Sequence, residues 1–447
     1  MRMSVWSIAA TLIAVTALAQ VTVSGGKGAK LDSIAGSDTV VTVVLKAGAR
    51  DPNLKVTGVF DDYFSVEATS GEKYSYKYDD VASVEVQGAV IPVRKVDLLE
   101  SRGLTNEQRD IVDRAMARIS ETFTTSPDQS LKMRAAMLLM VAGDSEAKQV
   151  GADYLGTLRE SNDLRTSLAA VEYSFLAGAD GDYTTVVANG LASGERKTKG
   201  KAAILAGLTG LQSAVTQLNT MAQDRAAEIA IPGVLGLAHL GNRDNLPLLL
   251  SMINERNEDR SEAAKKALVL LGGDDVIESL GDLLPKSEGL SQFRIAEALH
   301  RLGDERGTRK LENDYLSSLV LQHSAAVVLA QDGDPRAMQI LRDRLADKRF
   351  DPLPEILTRR AEAAAALLKA GDRTNIGVFQ ELLRLADPEI ELSVYRHLSK
   401  LGMPSLLPIC LPGVESQEPA RALNACQAVV AIANSDFRKR EEMILAL

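Results

Sequence analysis

Ser324-Ala-Ala-Val-Val-Leu-Ala-Gln-Asp-Gly-Asp-Pro-Arg336 holds the end of one helix and the start of the next. Ala325 and Leu329 stand eight and four residues before Gly333, so they share one helical face two turns long. Gly333 supplies the left-handed conformation that closes a helix, Asp334 is placed to cap the one that follows, and Pro335 falls at its first position, where a missing N–H costs nothing. A small side chain, a large one, a glycine, an acidic cap and a new helix therefore follow in register.

The same order recurs around Gly143, Gly178, Gly210, Gly241, Gly272, Gly303, Gly333, Gly371 and Gly402, with Asn434 in the last place, at intervals of 35, 32, 31, 31, 31, 30, 38, 31 and 32 residues. Four residues before each glycine stand Leu139, Ser174, Ala206, Leu237, Leu268, Leu299, Leu329, Leu367 and Leu398. Eight before, the row is Ala135, Ala170, Ala202, Gly233, Ala264, Ile295, Ala325, Ala363 and Val394, small enough for helices to approach closely. Eight beyond the turn, Leu218, Leu249, Leu280, Leu311, Leu341, Phe379 and Cys410 open the apolar face of a second helix. Each unit is a pair of short helices whose stripe has no cover within the unit, so the units must stack. About ten such pairs fit between Pro127 and Leu447.

The stretch Ser324 to Arg336 and its repeats resemble HEAT repeats, in particular the short variety first described in phycobilin lyases. The resemblance covers residues 127–447 and implies an α-solenoid, a fold that hosts many functions. The same resemblance brings lyase activity to mind, but no chromophore-handling Cys or His site is legible.

Upstream the composition changes. Val40–Leu45, Leu54–Phe60, Tyr63–Ala68, Lys73–Tyr78 and Ser83–Val86 are short β-branched and aromatic runs, with Ser70-Gly71-Glu72 as a hairpin turn and Tyr74, Tyr76 and Tyr78 alternating with polar residues. They predict a closed five-stranded β-barrel within residues 38–95. Val56-Thr-Gly-Val-Phe-Asp-Asp-Tyr-Phe-Ser-Val66 and Tyr76-Lys-Tyr-Asp-Asp-Val-Ala-Ser-Val84 resemble Sm-like and SH3-like barrels, Gly58 permitting the bend of the second strand. Phe64-Ser65 replaces the base-contacting Asn of the Sm family, and Lys77-Tyr78 is followed by Asp79 and Asp80, which repel phosphate. The barrel is therefore expected to dock or oligomerise rather than bind RNA.

At the N-terminus Arg2 precedes an apolar run from Val5 to Leu18, and Ala17-Leu18-Ala19 has the small-x-small pattern of a signal-peptidase site. The expected organisation is a signal peptide over 1–19, a Gly-rich linker over 20–37, the barrel over 38–95, a connecting helix over 96–126 and the repeat array over 127–447. A periplasmic or secreted location follows, with no transmembrane span after cleavage. A net charge of −9 argues against a nucleic-acid partner, and an aromatic content of 4% gives little material for base or sugar stacking. Arg196, Lys197, Lys199 and Lys201 form a basic cluster expected in a solvated loop. Cys410 and Cys426 occupy core slots on adjacent helices, which leaves both a disulfide and two separate buried thiols open.

No metal-ligand spacing, nucleophile elbow, phosphate loop or dinucleotide fingerprint occurs, so no catalytic residue, metal site or cofactor is expected. His239 and His300 lie near predicted helix C-termini, where a capping or surface role suits imidazole. The long interval before Gly371 contains Lys348-Arg-Phe-Asp-Pro-Leu-Pro354, whose Arg349, Phe350 and Leu353 are candidate partner contacts unless they pack on their own repeat. A row of second-helix arginines, Arg306, Arg309, Arg342 and Arg344, is a further candidate, with Glu305 and Asp343 near enough to neutralise it. The leading functional expectation is an exported non-enzymatic scaffold or adaptor for a protein partner; the alternative is a lyase or hydrolase with its site in the array groove.

Overall fold

A computed structural model describes residues 40–45, 50–59, 63–77, 81–86, 89–91, 104–347 and 353–445. The signal peptide and linker expected over 1–37, the acidic pair Asp79 and Asp80, and Arg349 and Phe350 lie outside the described residues. The chain divides into two compact units, residues 1–102 and 103–447.

The first unit holds an antiparallel sheet of β1 (Val40–Leu45), β2 (Arg50–Val59), β3 (Tyr63–Ala68), β4 (Lys73–Lys77), β5 (Val81–Val86) and β6 (Ala89–Ile91), in the order β4-β3-β2-β1-β5-β6. Val41, Val43, Leu54, Val56, Phe64 and Val66 alternate inward, as half-buried strands require. Val81 and Val84 are three apart yet also face inward, because the register slips between the pairs Val44–Ser83 and Leu45–Val81. A second slip between Val56 and Gly58 sits where the bend was expected. Tyr76 packs its ring 5.7 Å from that of Phe64 and donates its hydroxyl to Asp51 Oδ2 at 2.7 Å, while Tyr74 is exposed.

The expected five-stranded closed barrel is not formed: a sixth strand extends the sheet, and its outer strands β4 and β6 do not pair with each other. Alternation reports which face of a strand is buried. Closure depends on pairing between strands distant in sequence, about which alternation is silent.

The second unit is helical. After α1 (Asn106–Thr125) come α2 (Gln129–Ala142) with α3 (Ser145–Arg159), α4 (Leu164–Ala177) with α5 (Thr184–Leu191), and α6 (Arg196–Leu208) with α7 (Val215–Ala222). Next are α8 (Ala227–His239) with α9 (Leu246–Met252), α10 (Glu258–Leu271) with α11 (Asp274–Leu283), and α12 (Gly289–Arg301) with α13 (Glu305–Lys310). The last pairs are α14 (Gln322–Ala330) with α15 (Pro335–Ala346), α16 (Pro354–Lys369) with α17 (Gly377–Leu383), α18 (Pro388–Leu401) with α19 (Leu407–Val414), and α20 (Pro419–Ala433) with α21 (Ser435–Leu445).

The repeat rows behave as their spacing requires. Every residue of the rows four and eight before the turn is buried, and Leu218, Leu249, Leu280, Leu311, Leu341, Phe379 and Cys410 are buried beyond it. Eight of the nine repeat glycines have positive φ, from Gly178 at 73° to Gly402 at 62°. Gly143 instead is extended at φ −70°, and Asn434 takes φ −128°, its side chain accepting hydrogen bonds from the Asp436 and Phe437 amides. Asp144, Asp304 and Asp334 cap helices as expected, whereas Asn242 and Asp372 bond backbone amides in turns ahead of the helix.

The expected connecting helix turns out to belong to the core. α1 begins with a capping box between Thr105 and Gln108, buries Ile111, Ala115 and Ile119, and packs on both α2 and α20. Arg114 reaches Glu415 at 2.8 Å, Arg118 donates to the Ser416 carbonyl at 2.8 Å, and Arg134 donates to Asn424 Oδ1 at 2.6 Å. On α21, Arg440 donates to the Leu176 carbonyl at 2.7 Å and Phe437 is fully buried. The first pair of helices and the last are thus neighbours, and the apolar faces that an open array leaves at its ends cover one another here.

The basic cluster is corrected too. Arg196, Lys197, Lys199 and Lys201 lie in α6, not in a loop, and Arg196 and Lys201 pair with Glu228 and Glu172 on the neighbouring helices. Cys410 and Cys426 are free and buried, and burial lifts both thiols to about 12. Native protein is expected to leave both unmodified by a thiol reagent at pH 8, with two thiols per chain titrating after unfolding in denaturant; fewer than two would reveal a bridge.

α6 and α8 approach so closely that a Cβ on Gly236 would lie 2.5 Å from the Ala203 carbonyl oxygen. Alanine is the better helix former by about 1 kcal/mol, yet the backbone contact leaves it no room. Gly236→Ala is expected to destabilise the protein by about 1–3 kcal/mol in urea unfolding, the cost of overpacking; a stabilised variant would show that the helices separate freely.

Candidate functional site

The connections that lead into α14, α16 and α18 carry large apolar side chains in water. Leu319 is 98% exposed and Val320 84%, just ahead of α14; Leu353 is 56% exposed at the start of α16; Leu385 is 52% exposed before α18. These helices are successive neighbours. Lys369, ending α16, donates to Gln331 just after α14 at 3.2 Å, so their like ends are level and the connections share one edge. In that edge Ala386 takes φ 55°, a left-handed conformation that an alanine adopts only under local constraint. Of the insertion's candidate contacts Arg349, Phe350 and Leu353, only Leu353 is among the described residues, and more than half of it is exposed.

Between α14, α15 and α16 this edge opens into a cavity of about 500 Å³. Ile340, Leu345 and Ile356 give it apolar walls, and His323, Arg344 and Arg359 give it polar ones. Arg360 is buried beside it, donating to the Leu345 carbonyl at 3.3 Å and to Glu381 at 3.4 Å.

The second-helix arginines do not form a free positive row. Arg306 donates to Asp304 and to the Ile277 carbonyl, Arg309 pairs with Glu305, Arg342 with Asp372 at 2.7 Å, and Arg344 donates to Gln322 at 3.1 Å. Sequence spacing placed them on one face, but each finds a local acceptor.

First-helix faces carry a belt of charge that the sequence reading missed. Buried Lys265 on α10 reaches Glu297 on α12 at 2.7 Å and Glu262 at 2.8 Å, while Arg301 holds the other Glu297 oxygen at 2.8 Å. Burial works to raise the Glu297 pKa, but Lys265 and Arg301 outweigh it and the carboxyl stays below its ordinary value. Arg421 pairs with buried Glu391 at 2.6 Å across α20 and α18. Ions at the same level of adjacent helices read as solvated residues in a linear sequence; stacking makes them partners.

His300, His323 and His397 join this belt instead of lying on the surface, whereas His239 is half-buried in the last turn of α8. His300 is buried, with Nδ1 2.9 Å from Thr308 Oγ1 and Nε2 3.1 Å from Asp332. Buried His323 on α14 faces Glu362 on α16 at 3.4 Å. His397 on α18 is held down to about 4, chiefly by burial; Glu362 opposes that shift and Lys400 adds to it. Among the described residues no group of three His, Cys, Asp or Glu side chains is placed to hold a metal ion. No described helix is long and apolar enough to cross a membrane.

No family model matches the chain, and no curated protein does. Among solved structures, human deoxyhypusine hydroxylase in complex with glycerol aligns over 59% of this chain and 98% of its own, at 15% identity and a TM-score of 0.27.

His397 supplies a pH test. It is neutral when folded at pH values where the unfolded chain, titrating near 6.5, takes up a proton. Its contribution is therefore complete above pH 6.5 and lost as pH falls toward 4. Urea midpoints are expected to fall across that window and to fall less in His397→Gln; identical pH profiles would refute the assignment.

Proposed function

We propose that this chain is an exported, non-enzymatic scaffold or adaptor of the HEAT-like kind, a helical-repeat array that holds a protein partner along the edge described above. The sheet unit serves as a docking or oligomerisation module, and the apolar run from Val5 to Leu18 followed by Ala17-Leu18-Ala19 supports a periplasmic or secreted location.

The observation that carries the reading is the row of exposed leucines. Scattered single apolar residues on a surface need no explanation, but Leu319, Val320, Leu353 and Leu385 recur at equivalent connections of three adjacent pairs. Stacking repeats line up such positions, and a groove between them offers pockets to side chains of an apolar segment. The abundant carboxylates and cations of the first-helix faces largely serve one another across neighbouring helices, which favours a structural role for them over an acid–base one.

Replacing exposed leucines alters folding stability little, within about 0.5 kcal/mol. The Leu319→Asp, Val320→Asp, Leu353→Asp variant is therefore expected to unfold at the wild-type temperature while losing the proteins that the wild type retains in crosslinked capture from its native envelope fraction. Identical captured sets from the two chains would overturn the reading.

A further inference from the structure

The basic cluster of α6 plays no part in the leucine edge, and its helix forms one wall of a second cavity. That recess, of about 360 Å³, lies among α4, α6, α8 and α21, within the roughly 300–1,000 Å³ typical of small-molecule sites. Lys197, Lys201, Ile204 and Leu208 line it at helical spacing, so it follows one face of α6 for about three turns, or about 16 Å. Pro232 of α8 and Ile444 of α21 close its sides. A Cβ on Gly200 would stand 3.1 Å from Pro232 Cγ, so the floor is one helix laid against the next.

The two ends of this slot differ in chemistry. Around Lys197 and Lys201 it is ionic: Arg196 pairs with Glu228 at 3.6 Å, and Lys201 with Glu172. Three cations thus meet two acids at this end of the lining. Glu195, the next acid along the chain, is held by Arg165 and Thr198. Lys197 is exposed and makes no ion pair among the described residues. Arg196 and Glu228 are each more than half exposed, so their pair contributes little and can be exchanged for another anion. Around Leu208 the walls are hydrocarbon, and Ile204, Pro232 and Ile444 are only half-buried, turning apolar surface into the slot.

We propose that this slot binds a single-chain amphiphile with an anionic head, in its simplest form a medium-chain fatty acid. The carboxylate lies between Arg196 and Lys197, where each hydrogen bond it accepts is charge-assisted, and the tail runs along α6 toward Leu208, leaving water as it does so. An ion alone would leave the apolar end unfilled, and a neutral hydrocarbon would leave the cations to water. The change of chemistry along the slot suits a ligand that has both parts. The site is separate from the leucine edge and stands whether or not a protein binds there.

The test uses the full chain with dodecanoate below its micellar concentration, with butyrate and with dodecyltrimethylammonium. Dodecanoate is expected to bind one-to-one by calorimetry and to raise the unfolding temperature. Butyrate keeps the head and lacks most of the tail, while dodecyltrimethylammonium keeps the tail and reverses the head. Each is expected to bind about tenfold or more weakly than dodecanoate. Lys197→Glu, at an exposed position, is expected to unfold as the wild type does and to lose about tenfold in dodecanoate affinity. Ile204→Glu is expected to lose as much, with Ile444→Glu, near the end of the last helix, as the second variant should the first misfold. Leu353→Asp, on the leucine edge, should bind as the wild type does. Equal binding of the cationic amphiphile or of butyrate, many dodecanoate molecules per chain, undiminished binding in the folded Lys197, Ile204 or Ile444 variants, weakened binding in Leu353→Asp, or no binding of dodecanoate would overturn the proposal.

Discussion

A helix pair of about thirty residues cannot hide its own apolar stripe. That constraint governs the helical unit: Leu329 or Leu299 leaves water only when the next pair arrives, and small residues at Ala325, Ala264 and Gly233 allow the approach that excludes it. Close contact has its own consequence. Where backbones nearly touch, as at Gly236 and Ala203, side-chain volume becomes the limiting quantity.

Stacking also determines the electrostatics. Once first helices lie side by side, residues some thirty apart in sequence stand level with each other, and Lys265, Glu297, His323 and Glu362 become neighbours. Desolvation then makes pairing necessary, because an unpaired ion there costs more than an exposed one. The row of exposed leucines stands out against this background.

Much of this was legible. The turn glycines, the acidic caps at Asp144, Asp304 and Asp334, and the buried rows follow from local spacing, because helix periodicity couples residues four apart whatever surrounds them. The candidate surface was legible only at Leu353 and Arg344. Leu319, Val320 and Leu385 look like ordinary core residues until their connections are placed, and for the second-helix arginines nearby acids were legible as neutralisers but the acceptors Asp372 and Gln322 were not.

By itself the sequence determined the pairing of short helices, their number and the strand faces of the small sheet, since each rests on contacts within a few residues. Tertiary structure alone decided that the sheet stays open, that the first helix packs beside the last ones, and that His300 and His323 turn to carboxylates on other helices. Those outcomes depend on which distant segments meet, and a periodic pattern offers every unit the same face without saying where the series will close.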